Sequence, residues 1–141
     1  NKKRLTIRNP NHVRPWQHVL DPIVGYLILA KKQYVKKIND NNEFAWNFGP
    51  KKQNFKKVYD VVKHIQKFES FKYSIDKKKK FHETPSLKLN STKARLKLDW
   101  ICKWNLSKAI KRTVEWNRDI KENFSPKNKC VQQFLMYINN K

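Results

Sequence analysis

Two glycines in 141 residues limit this chain more than any other feature of its sequence. Glycine is the default residue where backbone must turn left-handed or approach another segment closely. Gly25 and Gly49 are each expected to hold one such place. With a single glycine before Gly49, the chain cannot contain the Gly-x-Gly-x-x-Gly loop that cradles a dinucleotide. Whatever this chain folds into, it is not a dinucleotide-binding Rossmann domain.

The second constraint is charge, +22 at pH 7 with a pI near 10.2. Such a basic chain with 13% aromatic residues invites a nucleic-acid reading. The kind of basic residue argues against it. There are 27 lysines and 15 asparagines but only 6 arginines, 4 alanines and 2 glycines. Selection for phosphate binding favours arginine, whose planar fork pairs with phosphate bidentately, and gives asparagine no reason to rise with lysine. Residues with AT-rich codons total 66 and those with GC-rich codons 18, so a mutational bias accounts for both excesses. Nucleic acid is not expected as a partner beyond non-specific charge attraction.

The length fits one domain or part of one. The chain opens on Asn1 and runs straight into Leu5-Thr6-Ile7, as a fragment of a longer protein or a processed chain would. Its longest apolar run, Pro22 to Ala30, is far short of the roughly 20 residues a membrane span needs. No membrane partner is expected, and a cytoplasmic location is. Cys102 and Cys130 stand 28 positions apart without a Cys-x-x-Cys or a matching histidine pair, so two free, inert thiols are expected and no metal site.

Periodicity predicts mixed α and β. Lys3 to Arg8 reads as a strand closed by the Asn9-Pro10-Asn11 turn, and Trp16 to Val19 as a second extended stretch. Asp21-Pro22 reads as the N-cap and first residue of a helix carrying Ile23, Leu27 and Ala30. Glu43 to Phe48 reads as a buried strand ended by Gly49-Pro50, Val58 to Phe68 as an amphipathic helix, and Phe71 to Ile75 as an edge strand. Ser86 to Leu89 alternates like a strand, and Asn90 or Ser91 can cap a short helix with Ala94, Leu96 and Leu98. Asn105 to Asn123 is a clear helix, and Cys130 to Ile138 a last one.

Three segments carry a resemblance in combination. They are Ile7-Arg8-Asn9-Pro10-Asn11-His12-Val13-Arg14-Pro15-Trp16-Gln17-His18-Val19-Leu20-Asp21-Pro22; Ala45-Trp46-Asn47-Phe48-Gly49-Pro50; and His82-Glu83 followed by Leu87-Lys88-Leu89, Lys93-Ala94, Leu98, Trp100, Trp104 and Thr113-Val114-Glu115-Trp116. Their order and spacing resemble the C-terminal region of the CDP-glucose 4,6-dehydratases, within the extended short-chain dehydrogenase/reductase superfamily. Asp99 departs from the resemblance, since the family usually has glycine there, and so does Asn90, where aspartate is common.

The resemblance implies an α/β fold, the C-terminal portion of an extended short-chain dehydrogenase/reductase whose NAD-binding Rossmann half is absent from this chain. Residues 1–124 would form the nucleotide-sugar binding region, with a strand and helix at about 43–68 packing on the missing Rossmann half, and 125–141 a C-terminal tail. The full enzyme would be a lyase (a hydro-lyase) that converts CDP-glucose to CDP-4-dehydro-6-deoxyglucose plus water, with NAD held by the N-terminal half. Its product would serve polysaccharide biosynthesis. A homo-oligomer is expected at full length and inactivity of this chain alone. The family's Tyr-x-x-x-Lys pair is expected upstream of Asn1 and not in this chain.

By the same resemblance Arg14 would bind the nucleotide diphosphate, a role its guanidinium suits; otherwise it is a solvated surface arginine. Arg8 and Asn9 would lie beside the base, or be only a strand end and its turn. Glu83 would accept ribose hydroxyls, and His82 would stand beside it or be merely structural. Trp16 and Gln17 are expected to order their loop, His18 and Trp46 to pack in the core, and Asp21 to act as an N-cap. No catalytic residue is expected in this chain. Two other readings stay open: a small basic RNA-binding module, and a non-functional relic of a dehydratase gene.

Overall fold

The glycines act by close approach. In the computed structural model, which describes residues 4–35, 45–76 and 83–139, neither has positive φ. A Cβ on Gly25 would stand 2.6 Å from Cε1 of the Phe48 ring, and one on Gly49 would stand 2.7 Å from the Leu89 Cβ. The left-handed positions fall to other residues, Asp99 (φ 55°) and Asn123 (φ 66°), each ending a helix. Asp and Asn are the residues that tolerate this geometry best after glycine. Position 99 is thus a left-handed helix end, and Asp99 can hold it.

The architecture is mixed α/β with small sheets. Strand β1 (Leu5–Ile7) pairs in parallel with β4 (Tyr73–Ile75), and β2 (Val13–Pro15) pairs antiparallel with β3 (Phe55–Lys57). The helices are α1 (Leu20–Tyr34), α2 (Val58–Ile65), α3 (Thr92–Leu98), α4 (Leu106–Lys121) and α5 (Pro126–Ile138). A 3-10 turn at Lys52–Asn54 precedes β3. One core gathers Phe48, Ala94, Leu98, Trp100 and Cys102 under Ile28 and Leu29 of α1. A second joins Val61 of α2 to Ile110 and Val114 of α4, flanked by Trp16, Ile65, Phe68 and Leu106. No described helix is long and apolar enough to cross a membrane.

Several local expectations change in the fold. Residues 45–48 form no strand; they run irregularly with Phe48 buried against Trp100 and α1, while Glu43 and Phe44 lie outside the described residues. The second extended stretch pairs at Val13–Pro15, three residues before the expected Trp16 to Val19. Ser86 makes only an isolated bridge to Val13. Ser91 stands at the N-cap position of α3 but its hydroxyl is taken by Gly49, and the Asn90 side chain accepts from the Thr92 amide instead, at 3.0 Å. Helix α5 starts earlier than expected, with Ser125 accepting from the Asn128 amide and Pro126 at the first helical position.

Asp21 departs furthest. Helix α1 begins at Leu20, so Asp21 lies inside its first turn and caps nothing with its side chain. It is fully buried. Its Oδ1 accepts from the Lys103 amide (2.9 Å) and the Tyr137 hydroxyl (2.5 Å), and its carbonyl accepts from Trp100 Nε1 (2.9 Å). Asp21 Oδ2 is buried without a hydrogen-bond partner among the described residues. One carboxylate therefore ties α1, the 99–105 loop and α5 together. Tyr137 and Trp104 close over it in an edge-to-face contact with centroids 5.1 Å apart. His18, also buried, packs edge-on against Trp104; burial lowers its pKa, partly opposed by Asp21.

Alone among these side chains, Asp21 holds three chain segments at once. Asp21→Ala leaves two buried donors unmet, at about 1–3 kcal/mol each. The urea midpoint should fall by the equivalent of about 3 kcal/mol or more, and Tyr137→Phe should cost about half as much; an unmoved midpoint for Asp21→Ala would refute this role. The thiols should also differ. Cys102 is buried, and burial first, then the nearby Asp21 carboxylate, pushes it up to about 12, whereas Cys130 is exposed. At pH 8 iodoacetamide should label Cys130 in the folded chain and reach Cys102 only in urea, since the thiolate is the nucleophile. Equal labelling in buffer would show that the core around Cys102 opens readily.

Candidate functional site

The turn after β1 is fixed from two sides. The His12 amide donates to the Asn9 carbonyl (3.2 Å), and the first amides of α2 donate back onto the turn, Val58 to the His12 carbonyl (3.0 Å) and Tyr59 to the Pro10 carbonyl (2.9 Å). These amides have no partner within their own helix, so the turn satisfies them. On the other side of β2 the chain at 85–87 runs alongside: Val13 donates to the Pro85 carbonyl (2.9 Å) and accepts from the Leu87 amide (3.1 Å). That pairing delivers Glu83 to Arg14, 69 positions away in sequence.

A cavity of about 240 Å³ lies between these segments, lined by Leu5 to Asn9, His12, Arg14, Val58, Val62 and Glu83. Its apolar side is Leu5, Ile7, Val58 and Val62; its polar side is Arg8, Asn9, His12, Arg14 and Glu83. The volume is below the range of about 300–1,000 Å³ usual for whole small-molecule ligands, and suits part of a nucleotide. An apolar wall accepts the face of a flat ring, while amide, guanidinium and carboxylate groups can meet its edge or an attached anion.

Arg14 is held tightly. Its Nη1 donates to the Val13 carbonyl (2.9 Å) and the Thr84 carbonyl (3.0 Å), and its Nη2 faces His12 Nδ1 (3.2 Å) and Glu83 Oε2 (3.3 Å). It is not a solvated surface arginine. Of the residues singled out in the sequence, Arg8, Asn9, Arg14 and Glu83 all line this one cavity, and His82 lies outside the described residues. Sequence reasoning missed His12, which joins the Arg14–Glu83 pair, its Nδ1 3.7 Å from Glu83 Oε2. The one signal was its spacing two residues before Arg14, which on an extended segment puts both on one face, and His12 itself precedes the strand. Trp16 and Gln17 do not reach the cavity. Trp16 Nε1 donates to the Lys56 carbonyl (2.9 Å) and Gln17 Nε2 to the Phe48 carbonyl (2.7 Å).

A Tyr-x-x-x-Lys spacing does occur in this chain, contrary to expectation, at Tyr59 and Lys63 on α2. The Tyr73 hydroxyl donates to that of Tyr59 (3.3 Å), and Lys63 Nζ stands 5.2 Å from the Tyr73 ring centre. The hydrogen bond with Tyr59, and then Lys63, lower the Tyr73 pKa. None of the three lines the cavity. The same spacing recurs by letter at Tyr73–Lys77 and Tyr137–Lys141, as chance makes common in a chain with 27 lysines. Among the described residues no group of three or more His, Cys, Asp or Glu side chains could hold a metal ion.

No family model matches the chain. Over 120 residues, 84% of its length, it is 33% identical to the CDP-glucose 4,6-dehydratase of Salmonella typhimurium (strain LT2), and it spans about a third (33%) of that enzyme's length. The resemblance carried by the three sequence segments is therefore borne out, and over most of its length this chain is similar to CDP-glucose 4,6-dehydratase.

Proposed function

We propose that this chain is the C-terminal, substrate-binding portion of a CDP-glucose 4,6-dehydratase and that the cavity beside Arg14 takes the nucleotide of the CDP-sugar. The observation that carries this reading is the convergence of Arg8, Asn9, Arg14 and Glu83 on one cavity, although Glu83 is about 70 positions from the other three. In this reading the base lies on the Ile7–Val58–Val62 wall, Asn9 and Arg8 meet its edge, Arg14 draws the diphosphate, and Glu83 turns toward the ribose.

The dehydration itself, CDP-glucose to CDP-4-dehydro-6-deoxyglucose plus water, would belong to the complete cytoplasmic enzyme, a homo-oligomer. NAD does not fit the residues present. Gly25 and Gly49 are each pressed under a side chain, so neither offers open backbone to a pyrophosphate. The cofactor would be held by the N-terminal Rossmann half, and this chain alone would be inactive.

An exposed apolar stripe on α1, formed by Ile23, Leu27 and Tyr34 and continued by Val19 just before the helix, supports the partial-enzyme reading. These positions recur at helical spacing on the face turned away from the core, where a missing half could cover them. The RNA-binding reading has less support. Lysines beside aromatic rings are scattered over the fold, Lys63 at Tyr59, Lys93 at Trp46, Lys103 at Tyr137, Lys108 at Trp104 and Lys129 at Phe124, and do not line a single groove.

Calorimetric titration tests the assignment. CDP should bind in about 0.15 M salt and UDP should compete poorly. Arg14→Ala should weaken CDP by about 1.5–3 kcal/mol, the scale of a hydrogen bond to a charged group. Equal affinity of wild type and Arg14→Ala would remove Arg14 from the site. Tight binding to heparin that CDP does not displace would favour the nucleic-acid reading.

A further inference from the structure

Arg14 faces its cavity with an anion already in place. Its Nη1 is spent on two backbone carbonyls, so the guanidinium cannot turn without losing both. Its Nη2 is the edge toward His12 and Glu83, and the Glu83 carboxylate sits there at 3.3 Å. Both Arg14 and Glu83 line the cavity, and the Glu83 side chain is 40% exposed where Arg14 is 25% exposed. The guanidinium is therefore the fixed member of the pair and the carboxylate the movable one. A bare phosphate entering here meets a neutralised arginine and a like charge, which destabilises it.

We propose that Glu83 is an internal competitor for the anion site on Arg14, and that it makes the site selective for ligands carrying both a phosphate and a vicinal diol. This rests on the nucleotide reading of the cavity and deepens it. A carboxylate leaves its arginine at little cost only when new donors meet it. Two neighbouring hydroxyls supply such donors without adding charge, whereas an inorganic anion brings more negative charge up to the carboxylate. Diol and phosphate on one molecule exchange partners with the pair: the hydroxyls take Glu83 and the phosphate takes Arg14. Discrimination arises because a ligand lacking the diol leaves a charge uncompensated.

The test compares wild type with Glu83→Gln in the 141-residue chain, using inorganic pyrophosphate, CDP and 2′,3′-dideoxy-CDP in about 0.15 M salt. Non-specific attraction to a chain of charge +22 is nearly common to both proteins and drops out of the comparison. Glu83→Gln should bind pyrophosphate about tenfold more tightly than wild type, a modest gain in keeping with a half-exposed ion pair. Wild type should prefer CDP to dideoxy-CDP by about tenfold or more, and the variant by less than about threefold. Glu83→Ala should repeat both changes, which guards against an effect peculiar to glutamine. Unchanged or weaker pyrophosphate binding in both variants would overturn the proposal, as would an undiminished preference for the diol. If wild type fails to bind CDP, the nucleotide reading falls, while the pyrophosphate contrast still judges the role of Glu83.

Discussion

A buried aspartate organises this fold. Asp21 has no exposed surface, and its carboxylate oxygen serves a backbone amide from the 99–105 loop and a tyrosine hydroxyl from the last helix. Burying a carboxylate is costly, and hydrogen bonds to it are what make the burial tolerable. Those donors come from residues 103 and 137, so the burial of Asp21 is complete only once the far end of the chain has arrived. The two tryptophans beside it, Trp100 and Trp104, are nearly fully buried, which keeps water from replacing the protein donors. Helix α1 follows directly on the segment that carries Arg14 and Gln17. Its anchoring thus sets one end of the strip of chain from which the cavity's arginine projects.

The cavity is built mostly from backbone. Strand pairing at β1, the turn at 9–12, the first amides of α2 and the ladder-like bonds between Val13 and residues 85–87 place its groups before any side chain acts. This explains how a chain so biased toward lysine and asparagine can keep a defined site. Main-chain hydrogen bonds do not depend on codon usage, and the side chains that matter are few. Arg14 stands out here, because arginine is the scarce basic residue in this sequence and this one is buried to three quarters among carbonyls and a carboxylate.

Much of the helical framework was legible, because α2 and α4 carry apolar residues at regular helical spacing and pair with each other through Val61, Ile110 and Val114. The residues that line the cavity were legible for a different reason: Ile7 to Pro22 is a long and specific run, and it brought Arg8, Asn9 and Arg14 with it. What could not be read was set by distant partners. Asp21 before a proline looks locally like a helix cap, and only Tyr137, 116 positions later, turns it into a core residue. Residues 45–48 have the composition of a buried strand, yet a strand needs a neighbour, and the Phe48 ring packs against α1 instead. His12 gave no signal of its own, since a lone histidine in a turn means little until Arg14 and Glu83 are seen beside it.

The 116-residue span between Asp21 and Tyr137 also governs how the chain comes into being. At synthesis rates of about 5–20 residues per second, the carboxylate is made roughly 6–23 s before its tyrosine exists. For the later part of that interval Asp21 lacks only the Tyr137 hydroxyl, since Lys103 and the residues that cover the inner face of α1, Phe48, Leu98 and Trp100, have already been made. Contacts of such separation also fold slowly once synthesis ends, because closing a long loop costs entropy before any contact rewards it. The nascent chain therefore passes through a waiting period with its buried aspartate not yet closed over by α5, when a chaperone has the most to hold and a protease the most to cut.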